Sequence, residues 1–274
     1  MSGPLLSIKN LSCGYRQKRI LQGIDLEVSR GELIGIIGPN GSGKTTLLRA
    51  ISRILKPLSG EIRIEDKDIW QVTSKEIARK VAVVSQAIEP LMIPVTEYIT
   101  MGRMPYYHRF QVFETRKDQQ IVEKYMSLTS TDKLRHSLLS EISGGERQLA
   151  HIARALVQEP IMILLDEPTS HLDITHQIAI LDLIKRLNRS LDLTVIMVLH
   201  DLNLAGEYCS RLVLLNDGKI FKVGPPEEVL SYEVIEEVYQ TPVIVEKNPL
   251  SGKPYALLVT EEVLQQSGKD GRTG

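Results

Sequence analysis

Cysteine is nearly missing from this 274-residue chain, which has two, Cys13 and Cys209, far apart in sequence. That separation fits neither a metal-ligand spacing nor a disulfide framework, so both are expected as buried thiols in a reducing compartment. An excess of charge is missing too: 33 Lys and Arg against 34 Asp and Glu leave a formal net charge of −1. No field of that size draws nucleic acid or acidic lipid, and the short basic run RQKR is broken by its glutamine. The opening MSGPLLSIKN lacks a basic region followed by an apolar one, so no secretory signal is expected. The longest apolar runs, IMILL and VIMVL, fall far short of the ~18 residues that suggest a membrane span. The chain is therefore expected to be soluble, with any membrane part supplied by another polypeptide. Internal repeats and low-complexity tracts are absent.

What is present is enough apolar residue, 42%, for a full core in one large domain or a domain with a subdomain. LLSIKNLSCGY and GIDLEVSRGEL alternate apolar and polar residues as half-buried strands do, and GEIRIEDKDI reads as one arm of a hairpin. LIGIIG is continuously apolar, the pattern of a strand buried on both faces of a parallel sheet. VAVVSQ, IMILLDE and VIMVLHD are further buried strands that end in polar residues, at the edge where open α/β sheets bind ligands. RLVLLNDGKIFKVG predicts a hairpin turning at Asn216-Asp217-Gly218. Residues 88–158 break the strand–helix alternation and read as a mostly helical insertion in an α/β core. VIVEKNPLSGKPYALLV is a small addition, and QQSGKDGRTG is expected to fray.

Between a predicted strand and a predicted helix lies GPNGSGKT, comprising Gly38, Pro39, Asn40, Gly41, Ser42, Gly43, Lys44 and Thr45 and followed by Thr46. Its glycines let backbone N–H groups curl around phosphates, Lys44 reaches the β/γ oxygens, and the Thr45 hydroxyl suits Mg²⁺. Asp166 at the end of IMILLDE suits the same metal, and Glu167 beside it can orient or deprotonate a water. A second anion site is written a hundred-odd residues on, in ISGGERQ. Its Ser143-x-x-Glu146 spacing is a capping box, yet Gly144 and Gly145 fill the first turn, where each costs about 1 kcal/mol relative to alanine. A bare, amide-lined helix start binds anions.

This ordered series resembles the nucleotide-binding subunit of ABC transporters, over nearly the whole chain. The resemblance implies a P-loop NTPase (RecA-like) α/β core with an N-terminal antiparallel β subdomain and an inserted α-helical subdomain. Residues 1–241 would form the ATPase domain, its helical part about 88–158, with 242–274 a small C-terminal extension. Tyr15 would stack on adenine, and Gln86 of the Q-loop would sense Mg²⁺ and the attacking water. Glu167, with Lys44, Gln86 and His200 in VLHD, would carry the hydrolysis. Ser143, Gly144, Gly145 and Asp173 of the SHLD D-loop would meet the ATP held by the phosphate loop of a second copy, so a head-to-tail homodimer is implied. ATP and Mg²⁺ are the implied cofactors.

PVTEYITMGRMPYYHRF, TSHLDITHQ and NPLSGKP resemble the subfamily serving iron-chelate, haem and cobalamin importers, except that Tyr106 stands where histidine is usual after Gly102-Arg103-Met104-Pro105. That resemblance implies two separate permease subunits, a substrate-binding protein acting through them, and a peripheral place on the cytoplasmic membrane face. Met92, Met101 and Met104 are expected on an exposed surface that receives a permease helix, with Gly102–Tyr107 a loop of that surface. The alternatives are the ATPase of a zinc or manganese importer and a soluble assembly ATPase of the same type. No heptad run suggests a repair ATPase, a single phosphate loop argues against the paired translation type, and no Asn-Lys-x-Asp reads guanine.

Overall fold

The computed structural model describes residues 3–16, 18–85, 91–108, 111 and 113–260. In chain order these form β1 (Leu6–Tyr15), β2 (Lys18–Val28), β3 (Leu33–Ile37), α1 (Lys44–Ile51), β4 (Ser59–Ile64), β5 (Lys67–Asp68), α2 (Ser74–Lys80) and β6 (Val81–Val84). A helical stretch follows: α3 (Val95–Thr100), a 3₁₀ turn (Met101–Tyr106), α4 (Arg116–Leu128), a second 3₁₀ turn (Asp132–Leu134) and α5 (Gly144–Leu156). Alternation then resumes with β7 (Met162–Asp166), α6 (Ile174–Leu191), β8 (Thr194–Val198), α7 (Leu202–Tyr208), β9 (Arg211–Asn216) and β10 (Lys219–Gly224). The chain continues as α8 (Pro226–Val229), α9 (Tyr232–Tyr239), β11 (Val243–Lys247) and β12 (Pro254–Leu258).

The central sheet runs β10-β9-β3-β8-β7-β6, parallel except for the edge strand β10, and an antiparallel sheet runs β2-β1-β4-β5. The apolar runs are continuous because both faces of the central sheet are covered. Leu33 and Ile37 of β3, Ile163 and Leu165 of β7, and Val195 and Met197 of β8 join a core with Tyr98, Ile152, Leu156, Ile180 and Ile184. Ile34 and Ile36, Met162 and Leu164, and Ile196 and Val198 face the other way, onto Leu47 and Ile51 of α1 and onto Leu6, Ile8, Ile24 and Ile62 of the antiparallel sheet. Each fully buried side chain of this kind stabilises by about 2 kcal/mol. Cys13 and Cys209 are both buried free thiols, as expected.

The helical stretch shares the first of these cores. Inside it Tyr98 is fully buried, its hydroxyl accepting from Arg154 Nη1 at 3.0 Å and lying 2.8 Å from His151 Nδ1. Burial, helped by Arg154 and Arg147, pushes His151 down to about 4. The unfolded chain takes up this proton as pH falls through about 6.5, and the folded chain only near the lower value. Stability is therefore lost across that window, by up to about 3 kcal/mol. His151→Asn keeps an acceptor for Tyr98 but cannot titrate. Its urea midpoint, followed from about pH 7 to about pH 4.5, should fall less steeply than that of the parent; equal slopes would exonerate His151.

Gly102–Tyr107 departs from the expectation of an exposed loop. Gly102 and Arg103 are buried, and a Cβ on Gly102 would stand 2.1 Å from the Arg154 carbonyl oxygen. Arg103 donates through Nε to Asp118 Oδ1 (2.8 Å) and through Nη1 to the Val157 carbonyl (2.6 Å) and Glu159 Oε2 (3.0 Å). Its guanidinium lies 3.9 Å from the Tyr106 ring centre, and the Tyr106 hydroxyl donates to the Gln158 carbonyl at 2.8 Å. The tyrosine that replaces the subfamily's histidine thus faces the chain's own α5 end. Arg79 of α2 also stacks 4.8 Å from the same ring and donates to the Pro105 carbonyl (3.1 Å), while Lys75 donates to the Tyr107 carbonyl. Met101 and Met104 are exposed, as expected.

Beyond the core, β11 and β12 pair as a two-stranded hairpin. Asn203 of α7 clips it on, donating to the Ala256 carbonyl (3.2 Å) and accepting from the Ala256 N–H (2.8 Å). The segment QQSGKDGRTG lies outside the described residues.

Candidate functional site

The phosphate loop leaves β3 at the C-terminal edge of the central sheet. Gly38, Gly41 and Gly43 have φ of 143°, 82° and 105°, values that L side chains rarely adopt. A Cβ on Gly38 would also stand 2.1 Å from the Leu215 carbonyl oxygen. The loop wraps Lys44, whose Nζ donates to the Gly38 and Pro39 carbonyls at 2.8 and 3.0 Å. Burial lowers the Lys44 pKa, opposed by the nearby Glu167 and Asp166. Ser42 Oγ is buried and finds no hydrogen-bond partner among the described residues. Curled amides, a buried lysine and an orphaned hydroxyl make a cradle that fits phosphate oxygens.

Two strands over in the sheet, β7 ends at Asp166. The Thr45 hydroxyl donates to Asp166 Oδ1 at 3.2 Å, joining the loop to that strand end. Burial raises the Asp166 pKa, with the Thr45 hydrogen bond working against it. Among the described residues no three His, Cys, Asp or Glu form a cage for a metal. One hydroxyl plus one carboxylate beside a phosphate cradle is the donor set Mg²⁺ takes, because that ion keeps water and phosphate oxygens in its shell.

Glu167 has φ of 53°, and its carbonyl accepts from the Ser170 N–H and hydroxyl at 3.2 and 3.0 Å. Its carboxylate meets His200 Nε2 at 2.5 Å, where the segment after β8 enters the same edge. His200 is the more exposed partner, its side chain at 45% against 14% for Glu167. Tyr15, at the end of β1, is 41% exposed and accepts from Arg49 Nη1 at 3.0 Å, so its ring stands beside α1. Arg49 went unnoticed in the sequence, where nothing marks its partner 34 residues away. Gln86 lies outside the described residues.

ISGGERQ forms the capping box its spacing predicts. Ser143 Oγ accepts from the Glu146 N–H (3.3 Å), and Glu146 Oε2 accepts from the Ser143 N–H (3.0 Å) and hydroxyl (2.9 Å). The two glycines differ. A Cβ on Gly145 would stand 2.2 Å from His176 Cδ2, whereas one on Gly144 would make only ordinary contact with Leu172 at 3.5 Å. Packing within the chain thus accounts for Gly145 and leaves Gly144 unaccounted for. The D-loop Asp173 caps α6, accepting from the His176 N–H at 2.9 Å. Among the described residues no hydrogen bond joins Ser143–Glu146 or Asp173 to the phosphate loop. The chain brings residues 38–46, Asp166, Glu167 and His200 to one edge.

The profile of the ABC transporter family matches residues 21–170. The ferric enterobactin transport ATP-binding protein FepC of Escherichia coli (strain K12) is 39% identical over 247 residues, covering 90% of this chain and 91% of that protein. A putative metal-chelate type ABC transporter, solved in an inward-facing conformation, superposes with a TM-score of 0.83 at 26% identity, over 95% of this chain and 99% of that one. The ATP-binding cassette MJ0796, in a dimeric post-hydrolysis state with ADP and Pi, superposes with a TM-score of 0.71 at 27% identity, over 81% and 98%.

Proposed function

The chain belongs to the ABC transporter ATP-binding family, and from that premise we propose that it is the ATP-hydrolysing subunit of an importer of iron chelates. The observation that carries the chemistry is one sheet edge holding a phosphate cradle, the Thr45–Asp166 pair and the Glu167–His200 pair. Lys44 and the loop amides bind and neutralise the phosphates of ATP. Thr45 and Asp166, with Gln86, would hold Mg²⁺, which would neutralise charge on the phosphates. His200 orients the Glu167 carboxylate, which takes the proton of the attacking water. Tyr15 offers its exposed ring to the base.

The site is complete only with a second copy. Among the described residues no hydrogen bond joins Ser143, Gly144, Gly145 or Asp173 to the chain's own loop, and the exposed Gly144 suits the γ-phosphate held by a partner. The dimeric cassette MJ0796 and the ferric enterobactin relative support a head-to-tail homodimer that drives two permease subunits, fed by a substrate-binding protein, from the cytoplasmic membrane face. Among the described residues no helix is long and apolar enough to cross a membrane.

The permease is expected at a groove of about 670 Å³ between α3, the first 3₁₀ turn and α4, where Met101 and Met104 lie with Glu97 and Glu114 on its wall. Unbranched methionines adapt to a helix laid on them. Met104→Asp should leave the ATPase rate of the isolated chain unchanged and lower chelate uptake by the assembled transporter about tenfold, because a carboxylate is buried without a partner. The test of the function is to purify the chain from membranes, identify the polytopic protein that accompanies it, and measure ATP-dependent uptake of labelled ferric siderophores. Uptake of zinc or manganese in place of the chelate would overturn the substrate class. Recovery without any membrane protein would overturn the transport role.

A further inference from the structure

His176 has no part in the machinery described so far, yet it is the residue that joins the two motifs meant for the partner's nucleotide. It stands in the first turn of α6, where its Nδ1 lies 2.8 and 2.9 Å from the two Asp173 carboxylate oxygens. A carboxylate at that nitrogen places the proton on Nδ1. The backbone N–H and then the ring of His176 hold the Asp173 carboxyl below the usual carboxylate range. The far side of the ring lies against Gly145: a Cβ there would fall 2.2, 2.8 and 2.9 Å from His176 Cδ2, Cγ and Nε2. Only glycine admits the ring so close to the backbone of α5. One imidazole therefore touches the capping residue of the D-loop through a hydrogen bond and the signature helix start through direct packing. Gln177 completes the fastening, its Nε2 donating to the Leu172 carbonyl at 3.0 Å, while the Leu172 side chain lies 3.5 Å from the Cβ position of Gly144.

We infer that His176 is a positioning residue that locks the ISGGE helix start and the D-loop into one rigid body, so that Ser143, Gly144 and Asp173 arrive at the partner's γ-phosphate in a fixed spacing. The inference rests on the dimer reading above and adds to it a mechanical constraint within each chain. Without the ring, the backbone cap, which any residue at 176 can make through its N–H, still fastens Asp173 to α6, but the start of α5 keeps only the Leu172 side chain beside Gly144. Sub-ångström misplacement of groups that act together on one phosphate is costly even when each group is intact.

The test uses the full chain with His176→Ala and His176→Asn, the latter placing an amide N–H where Nδ1 stands. ATP affinity of the monomer should not change in either. In His176→Ala, kcat should fall about tenfold to a hundredfold, and a Glu167→Gln background should need correspondingly more ATP to dimerise. His176→Asn should recover most of both. Gly145→Ala should cost the parent more than it costs His176→Ala, since the ring it collides with is gone from the latter. Parental turnover and dimerisation in His176→Ala would overturn the inference, as would an equal defect in His176→Asn. If Glu167→Gln with native His176 fails to dimerise with ATP, the dimer reading falls first, and the comparison between the two His176 variants is not what decided it.

Discussion

Glu167→Gln is expected to slow ATP hydrolysis by at least about a hundredfold, the usual contribution of a general base, while ATP still binds. Glu167 follows the last residue of β7, Asp166, and its carboxylate is held by His200, so it is fixed at the sheet edge where the γ-phosphate of a loop-bound nucleotide must emerge. An amide keeps the shape and can still accept from His200 Nε2, but it cannot take a proton from water. Phosphate contacts made by Lys44 and the loop amides are untouched, so affinity survives. With binding intact and hydrolysis blocked, the closed pair has no route to opening, and a dimer should accumulate in ATP and disperse when ATP is removed. Phosphate release and light scattering on an eluting peak read both halves of the expectation. Parental hydrolysis would remove Glu167 as the base, and a blocked enzyme that stays monomeric would separate the base from the dimer.

Arg103→Ala is expected to destabilise the fold by about 3–5 kcal/mol, the range for breaking one side of a buried ion pair. Arg103 and Asp118 are 3% and 6% exposed at their side chains, so neither charge can turn to water. Burial alone would raise the Asp118 pKa; the Thr115 hydrogen bonds and Arg103 outweigh it and hold the carboxyl low. Removing the guanidinium takes its contact from Asp118 Oδ1, the Val157 carbonyl and the Tyr106 ring together, although Thr115 still donates to Asp118 Oδ2. Urea unfolding should show the loss, and Arg103→Ala with Asp118→Ala should cost less than the two single changes summed. Strict additivity would mean that the two charges do not stabilise each other.

The misreading of Gly102–Tyr107 has a physical cause. Arg103 pairs with groups 15 and 56 residues away, and no periodicity in the chain signals a buried arginine. Its neighbours Met101 and Met104 really are exposed, so the segment has one face of each kind within a single 3₁₀ turn. The strands of the central sheet were legible because two covered faces demand unbroken apolar runs, and the phosphate loop because glycines at φ > 0 leave a fixed mark. The capping box at Ser143 was legible too, since it is local. Gly145 was legible only in part: the need for glycine could be read, but not that His176 of the same chain creates it. Both parts of that contact come from separate helices, and only the fold brings them together.

The bracket of Arg79 and Lys75 around the Pro105–Tyr107 backbone bears on how force would travel. Lys80, the last residue of α2, is followed directly by Val81, the first of β6, so the helix runs into the strand with no loop between them. A load applied at the methionine face would reach β6 through a stacked arginine and tyrosine. That route is short, and it terminates on the strand next to β7, whose end carries Asp166. Cutting the bracket with Arg79→Ala should therefore loosen the transmission between the two faces of the molecule while leaving both faces intact.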